Sequence, residues 1–244
     1  MRLISWNANG VHHKKRSFEQ NAEFLWEQPA DLIIISETNG PIDPAKSGTD
    51  WNSRVRLGLG VAVRGALTLS APSKFASPIF SSAYTVTAGR VRIQLVAAWP
   101  VRAKNAKGAL SYGAQLLAGL TDEVHGKILR HDHAILCGDF NSTAKSPRQA
   151  KRHNEFVDRA SALGLRSVYH EVRQVAHGQE KEGDHTYRHG GPGKGQFHID
   201  YCFLSPALLR SASFRILNGP EWEELSDHYP IQVDFTVPDS LPES

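Results

Sequence analysis

The chain has 244 residues, 40% of them hydrophobic and 22% charged, with a formal net charge of +3. Such proportions belong to an ordinary globular protein with room for a sizeable core, and the small positive charge points only weakly to an anionic partner. No apolar run approaches the length of a membrane span, and no basic start with an apolar signal region precedes the first strand pattern. A cytoplasmic protein with no membrane partner is therefore expected. The two cysteines, Cys137 and Cys202, fall in strand-like stretches and read as small buried hydrophobes rather than as a disulfide or metal pair.

Arg2 to Trp6 reads as a first strand ending at Asn7, after which Gly10 permits a sharp turn into a basic loop over His12 to Arg16. Ser17 with Gln20 makes a capping box, and Phe18, Ala22, Leu25 and Trp26 form an apolar stripe at helical spacing that ends before Pro29. Asp31 to Ser36 is a nearly continuous apolar run, typical of a strand covered on both faces, and it stops at Glu37. From Trp51 to Pro100 no good helix is visible. Val55–Leu57, Gly60–Val63, Ala66–Leu69, Tyr84–Thr87 and Val91–Trp99 read as short strands separated by turn residues. One helix is predicted over Leu110 to Arg130 with three internal glycines, followed by a buried strand from His133 to Cys137. A second helix runs from Gln149 to Leu163 and is closed by Gly164. Glu180 to Gly195 is a polar, glycine-rich loop. His198 to Leu204 is the central strand, and Phe214–Leu217 and Tyr229–Val237 follow. With neither repeat nor linker, residues 1–237 read as one domain and 238–244 as a disordered tail. The element order predicts an α/β sandwich of two packed sheets with helices outside.

Five polar clusters interrupt or abut these strands: Trp6-Asn7-Ala8-Asn9-Gly10, Ser36-Glu37-Thr38, Gly138-Asp139-Phe140-Asn141, His198-Ile199-Asp200 and Ser226-Asp227-His228. Asn7, Glu37 and Asp139 each follow an apolar strand directly, and strand C-termini are where α/β proteins place ligands. Charged groups on buried strands are costly unless paired, so one shared site explains the five clusters together. Glu37, Asp139, Asp200 and Asp227 would repel one another there unless a cation sat among them. An all-oxygen set with no cysteine-histidine pattern favours Mg²⁺ over zinc, and such an ion suits phosphate chemistry. Beside Asp200, the His228 imidazole would have its tautomer fixed and its charged form favoured. His198 and Asp200, two apart in one strand, would share a face.

In this order, and over nearly the whole chain, the clusters resemble those of the endonuclease/exonuclease/phosphatase superfamily. The resemblance implies a four-layer α/β sandwich, two packed mixed β-sheets flanked by helices. It implies a Mg²⁺-dependent phosphodiester hydrolase, with Mn²⁺ able to substitute. The nearest type is a DNA-binding endonuclease or exonuclease of the exonuclease III kind, as used in DNA repair. Glu37 would be the main metal ligand, with Asn7 and Asp227 nearby. Asp139 would activate or orient the attacking water or protonate the leaving oxygen, and Asn141 would hold a phosphate oxygen. His228, oriented by Asp200, would contact the phosphoryl group. The expected substrate contacts are Asn9, Trp99, His198, Arg148 and Arg152. The last two belong to one of three basic loops: Lys14-Lys15-Arg16; Lys145 with Arg148, Lys151 and Arg152; and Arg188 with Lys194. Ala98-Trp99-Pro100-Val101 stands where abasic-site endonucleases carry Tyr-x-Pro-Asn, and His198 where they usually carry arginine, so abasic-site specificity does not carry over. DNA is the expected partner, with no obligate protein partner. Two alternatives stay open: an enzyme of small nucleotides, inositol phosphates or other small phosphate esters, and a nucleic-acid-binding module with an inactive site.

Overall fold

A computed structural model describes residues 1–8, 18–38, 49–53, 58–70, 81–101, 110–188 and 195–238. In chain order its elements are β1 (Arg2–Asn7), α1 (Phe18–Glu27), β2 (Leu32–Thr38), β3 (Thr49–Ser53), β4 (Gly58–Val63), β5 (Leu67–Ser70), β6 (Ser81–Ala88), β7 (Val91–Ala98), α2 (Tyr112–Gly119), α3 (Lys127–Leu129), β8 (Ala134–Asp139), α4 (Ala150–Ala162), β9 (Arg166–Ser167), α5 (Val168–Arg173), β10 (Tyr187–Arg188), β11 (Gln196–Phe197), β12 (Asp200–Leu204), α6 (Pro206–Leu209), β13 (Ser213–Ile216), α7 (Pro220–Glu223) and β14 (Ile231–Asp234).

Among the described residues, two six-stranded sheets carry the fold, in the orders β13-β14-β1-β2-β4-β3 and β5-β6-β7-β8-β12-β9, with β10-β11 as a separate ribbon. Each sheet is mixed. β1 and β2 run parallel, as do β7 and β8, while the other pairs are antiparallel. Alternate side chains on a strand point to opposite faces, and here both faces find apolar cover. Leu3, Ile34 and Val233 of the first sheet meet Val86, Leu95 and Ile135 of the second in the core between the sheets. On the outer face of the first sheet Ile4, Ile33 and Ile35 pack on Leu25 of α1 and Trp222 of α7. On the outer face of the second, Leu136, Tyr201 and Phe203 pack on Leu116 of α2 and Phe156 of α4. This double cover is why Leu32 to Ile35 is apolar without alternation, and it makes the four-layer α/β sandwich that the resemblance implied.

The predicted helix over Leu110 to Arg130 is not continuous. α2 ends at Gly119, a π-type turn covers Asp122–Gly126, and only Lys127–Leu129 returns to α-helix. The glycines explain the break. A Cβ on Gly126 would stand 2.7 Å from Asp122 Oδ1 and 2.8 Å from the Leu120 and Thr121 carbonyl oxygens, so this π-type turn needs glycine there. Gly113 instead lets α2 lie against Arg152 of α4, 3.0 Å from where its Cβ would be. The central strand begins at Asp200, not at His198. The strand expected at Val55–Leu57 and the tail from residue 239 lie outside the described residues. Among the described residues, no helix is long and apolar enough to cross a membrane.

Candidate active site

The topology gathers the polar clusters at one edge. β1 and β2 are parallel, so Asn7 and Glu37 arrive together. β8 ends in Asp139, and antiparallel β12 begins with Asp200 directly opposite it in register. β14 is antiparallel to β1, which returns the residues just before it, Asp227 and His228, toward Asn7. Ser226 fastens this return: its hydroxyl donates to the Asn7 carbonyl at 2.7 Å and accepts the His228 N–H at 3.0 Å. Trp6 Nε1 donates to the His228 carbonyl at 3.1 Å.

Among the described residues, three backbone positions near the edge have positive φ: Glu37 at 56°, Asn141 at 50° and Gly138 at 146°. Glu37 sits where the β2–β4 register slips between Ser36 and Thr38, a bulge that re-aims its side chain at the end of the strand. Gly138 has no alternative, because any Cβ there would collide with the Ala98 carbonyl oxygen on the neighbouring strand. Asp139 is 1% exposed and accepts three hydrogen bonds, from Asn7 Nδ2 at 2.8 Å, Asn141 N at 2.8 Å and Asn141 Nδ2 at 3.0 Å. Asn7 Nδ2 also donates to Glu37 Oε1 at 3.1 Å, so one amide links two of the carboxylates. Asn141 Nδ2 reaches the Pro100 carbonyl at 3.3 Å as well. In this state Asn141 orients Asp139.

His228 and Asp200 form a buried pair, Nδ1 to Oδ2 at 3.0 Å. Burial opposes the imidazolium, but the carboxylates of Asp200 and then Asp139 outweigh it, and the His228 pKa is raised to about 10. Asp139 moves up to about 7 because burial and the facing Asp200 penalise its charge more than His228 and Asn7 relieve it. The site therefore combines a cationic imidazole with a carboxyl group poised near neutrality.

Asp139, Asp200 and His228 bring one possible donor atom each within 4.8 Å of one another. That trio is better read as a hydrogen-bonded pair facing a carboxylate, since an imidazolium bonded through Nδ1 to Asp200 does not ligate a cation. Glu37 with Asn7 and Asp227 offers only oxygen donors, which fits a hard divalent ion. Asp200 Oδ1 is buried with no hydrogen-bond partner, a further sign that the site is arranged around positive charge.

Several expected contacts fall elsewhere. Trp99 is 4% exposed and belongs to the core between the sheets, so no base can stack on it as it stands. His198 is 2% exposed, its ring 4.2 Å from Tyr169 and its Nδ1 on the Asp184 carbonyl at 3.0 Å; it is a core histidine rather than a substrate contact. Arg188 is no free loop charge. It donates to the Ser226 carbonyl at 2.8 Å and the Glu223 carbonyl at 3.1 Å, and so braces the segment that carries His228. Arg148 and Lys151 are exposed, as is Arg152, which pairs with Glu155. Asn9, Lys14-Lys15-Arg16 and Lys194 lie outside the described residues. Tyr187 bridges His228 through the backbone and packs its ring 4.7 Å from the imidazole. Thr186, which nothing in the sequence singled out, bonds the backbone of Asp200.

The sequence pattern of the Endonuclease/Exonuclease/phosphatase family matches residues 4–228. The chain belongs to this family, a family of hydrolases acting on phosphate ester bonds. A search of curated proteins by sequence finds no match. Among solved structures, the 3′ phosphatase NExo from Neisseria bound to product DNA hairpin superposes with a TM-score of 0.69 at 19% identity, covering 97% of this chain and 100% of that one. An AP endonuclease from Archaeoglobus fulgidus gives a TM-score of 0.65 at 15% identity, covering 97% and 100%. The human Nocturnin catalytic domain with bound sulfate anion gives 0.64 at 16% identity, covering 97% and 93%. At these identities the likeness establishes the fold.

Proposed function

We propose that this chain is a Mg²⁺-dependent phosphodiester hydrolase that acts on DNA. The observation that carries the reading is the buried Asp200–His228 pair held opposite Asp139, with Asn7 tying Asp139 to Glu37. Glu37, Asn7 and Asp227 would hold the metal, which when bound polarises a phosphoryl oxygen and offsets developing charge. His228 has Nδ1 engaged by Asp200, leaving Nε2–H to donate to a phosphoryl oxygen. Asp139, raised to about 7 by burial and by Asp200, suits proton transfer with the attacking water near neutral pH. Asn7 and Asn141 keep its carboxyl group turned for that task. Exposed Lys145, Arg148 and Lys151 follow the Asp139–Asn141 segment in the chain and would hold phosphates flanking the scissile one.

Support for DNA comes from two of the structural relatives, one solved with a DNA hairpin and one an AP endonuclease. The test is a panel of duplex, single-stranded and abasic DNA, RNA and phosphate monoesters, each incubated with purified protein and Mg²⁺. Cleavage efficiency should rise with oligonucleotide length. A flat length dependence would transfer the assignment to a small phosphate ester.

A further inference from the structure

Between the end of α5 and the start of β12 lies a segment that the catalytic reading leaves without a task. It is braced on both sides. Toward α5, Glu180 meets His170 Nε2 at 3.4 Å, and Asp184 accepts from Tyr169 Oη at 3.2 Å and Arg173 Nε at 3.1 Å. Toward α7, Arg188 holds the Ser226 and Glu223 carbonyls. Thr186 sits between these braces and is 0% exposed. Its hydroxyl oxygen accepts two backbone N–H groups, from Ile199 at 3.0 Å and from Asp200 at 3.1 Å. Its own N–H donates to the Phe197 carbonyl at 3.0 Å, and its carbonyl accepts from the Tyr229 N–H at 2.7 Å.

One residue thus bonds the backbone of Asp200 and the residue next to His228. Asp200 opens β12 of one sheet, and His228 stands just before β14 of the other. Both acceptor sites on the Thr186 hydroxyl are used, and the β-branched side chain has little rotamer freedom. We infer that Thr186 is a positioning residue: its hydroxyl and carbonyl set the separation at which Asp200 can receive the His228 N–H. The inference rests on the catalytic reading of that pair given above, but the geometry it claims can be measured without turnover.

The experiment compares Thr186→Val, which keeps the shape and removes the acceptor, with Thr186→Ser, which keeps the acceptor. In metal-free protein the downfield proton signal of His228 Nδ1–H, identified by its loss in His228→Gln, reports the hydrogen bond to Asp200. The signal should vanish or move upfield in the Val protein and return in the Ser protein. On a DNA substrate, kcat should fall about 10–100-fold in the Val protein with KM unchanged, as is typical when an outer-shell partner is removed, and should recover in the Ser protein. If the Val protein does not fold, Thr186→Cys, whose thiol is a weak acceptor, takes its place with the same readings. An unmoved signal and an unchanged kcat in a folded Val or Cys protein overturn the inference. A wild-type protein that shows the signal and cleaves nothing would defeat the proposed function and leave the positioning claim to the signal alone.

Discussion

Nδ1 of His228 and Oδ2 of Asp200 lie 3.0 Å apart with side chains only 5% and 1% exposed. A charge pair this deep is worth little net stability against an apolar alternative, but removing one partner is expensive, about 3–5 kcal/mol. The protonation of the pair can be followed. The folded pKa of His228 is raised above its ordinary 6.5 to about 10. A raised histidine stabilises the fold fully below the unfolded value and loses that contribution as pH rises through the folded one. The stability of wild type relative to His228→Gln should accordingly fall between pH 6.5 and about 10, measured by urea unfolding. Equal pH profiles for the two proteins would show that His228 is not held as an imidazolium.

Substitutions at the site should rank by role. His228→Ala and Asp139→Asn should each lower turnover about 100–1000-fold, the usual effect of losing one preorganised electrostatic group. Asp200→Asn should cost less turnover than His228→Ala, because it leaves the imidazole in place with a weaker orienting bond. Steady-state kinetics on variants whose circular dichroism matches wild type decides this. Folded His228 and Asp139 variants at wild-type rates would remove both residues from the mechanism.

Much of this site was legible in the sequence because its residues sit at strand ends, where polar groups interrupt apolar runs. Asn7, Glu37, Asp139, Asp200 and His228 converge as the five clusters suggested. The sandwich was legible for the same reason: runs such as Leu32 to Ile35 must be covered on both faces. What the sequence hid is the packing inside the segment before β12. His198 has the period of a strand partner to Asp200, yet the strand starts two residues later and the imidazole turns into the core. Trp99 follows a strand like the site residues do, but its ring fills the space between the sheets. Arg188 and Thr186 act through hydrogen bonds to backbone groups distant in sequence, and no local pattern announces such bonds.

Gly138 offers a test of the fold beside the site. Its φ of 146° and the Ala98 carbonyl oxygen leave no room for a methyl group. Gly138→Ala should destabilise the protein by ~3 kcal/mol or more, the range of core overpacking combined with backbone strain. Urea unfolding measures it, and a change below ~0.5 kcal/mol, the usual scatter for surface substitutions, would show that the strands part there easily.

The exposed basic residues predict salt dependence. Each phosphate contact on duplex DNA contributes about 0.9 to the slope of log affinity against log salt. Arg148→Glu with Lys151→Glu should flatten that slope by roughly 2 and weaken DNA binding, while hydrolysis of a small test diester stays nearly unchanged. Arg152 is a poorer choice for this test because Glu155 already pairs with it. An unchanged slope in the double variant would move the DNA path away from α4.

The proposed function requires hydrolysis of a DNA phosphodiester with a divalent ion held at Glu37. Its most direct test is cleavage of an end-labelled duplex oligonucleotide by metal-stripped protein, with EDTA and then with Mg²⁺, in wild type and Glu37→Gln. The expected result is no cleavage in EDTA, full activity once Mg²⁺ is restored to wild type, and a sharply higher Mg²⁺ requirement in the folded Glu37→Gln protein. Turnover of the stripped wild type in EDTA at the full rate would contradict it.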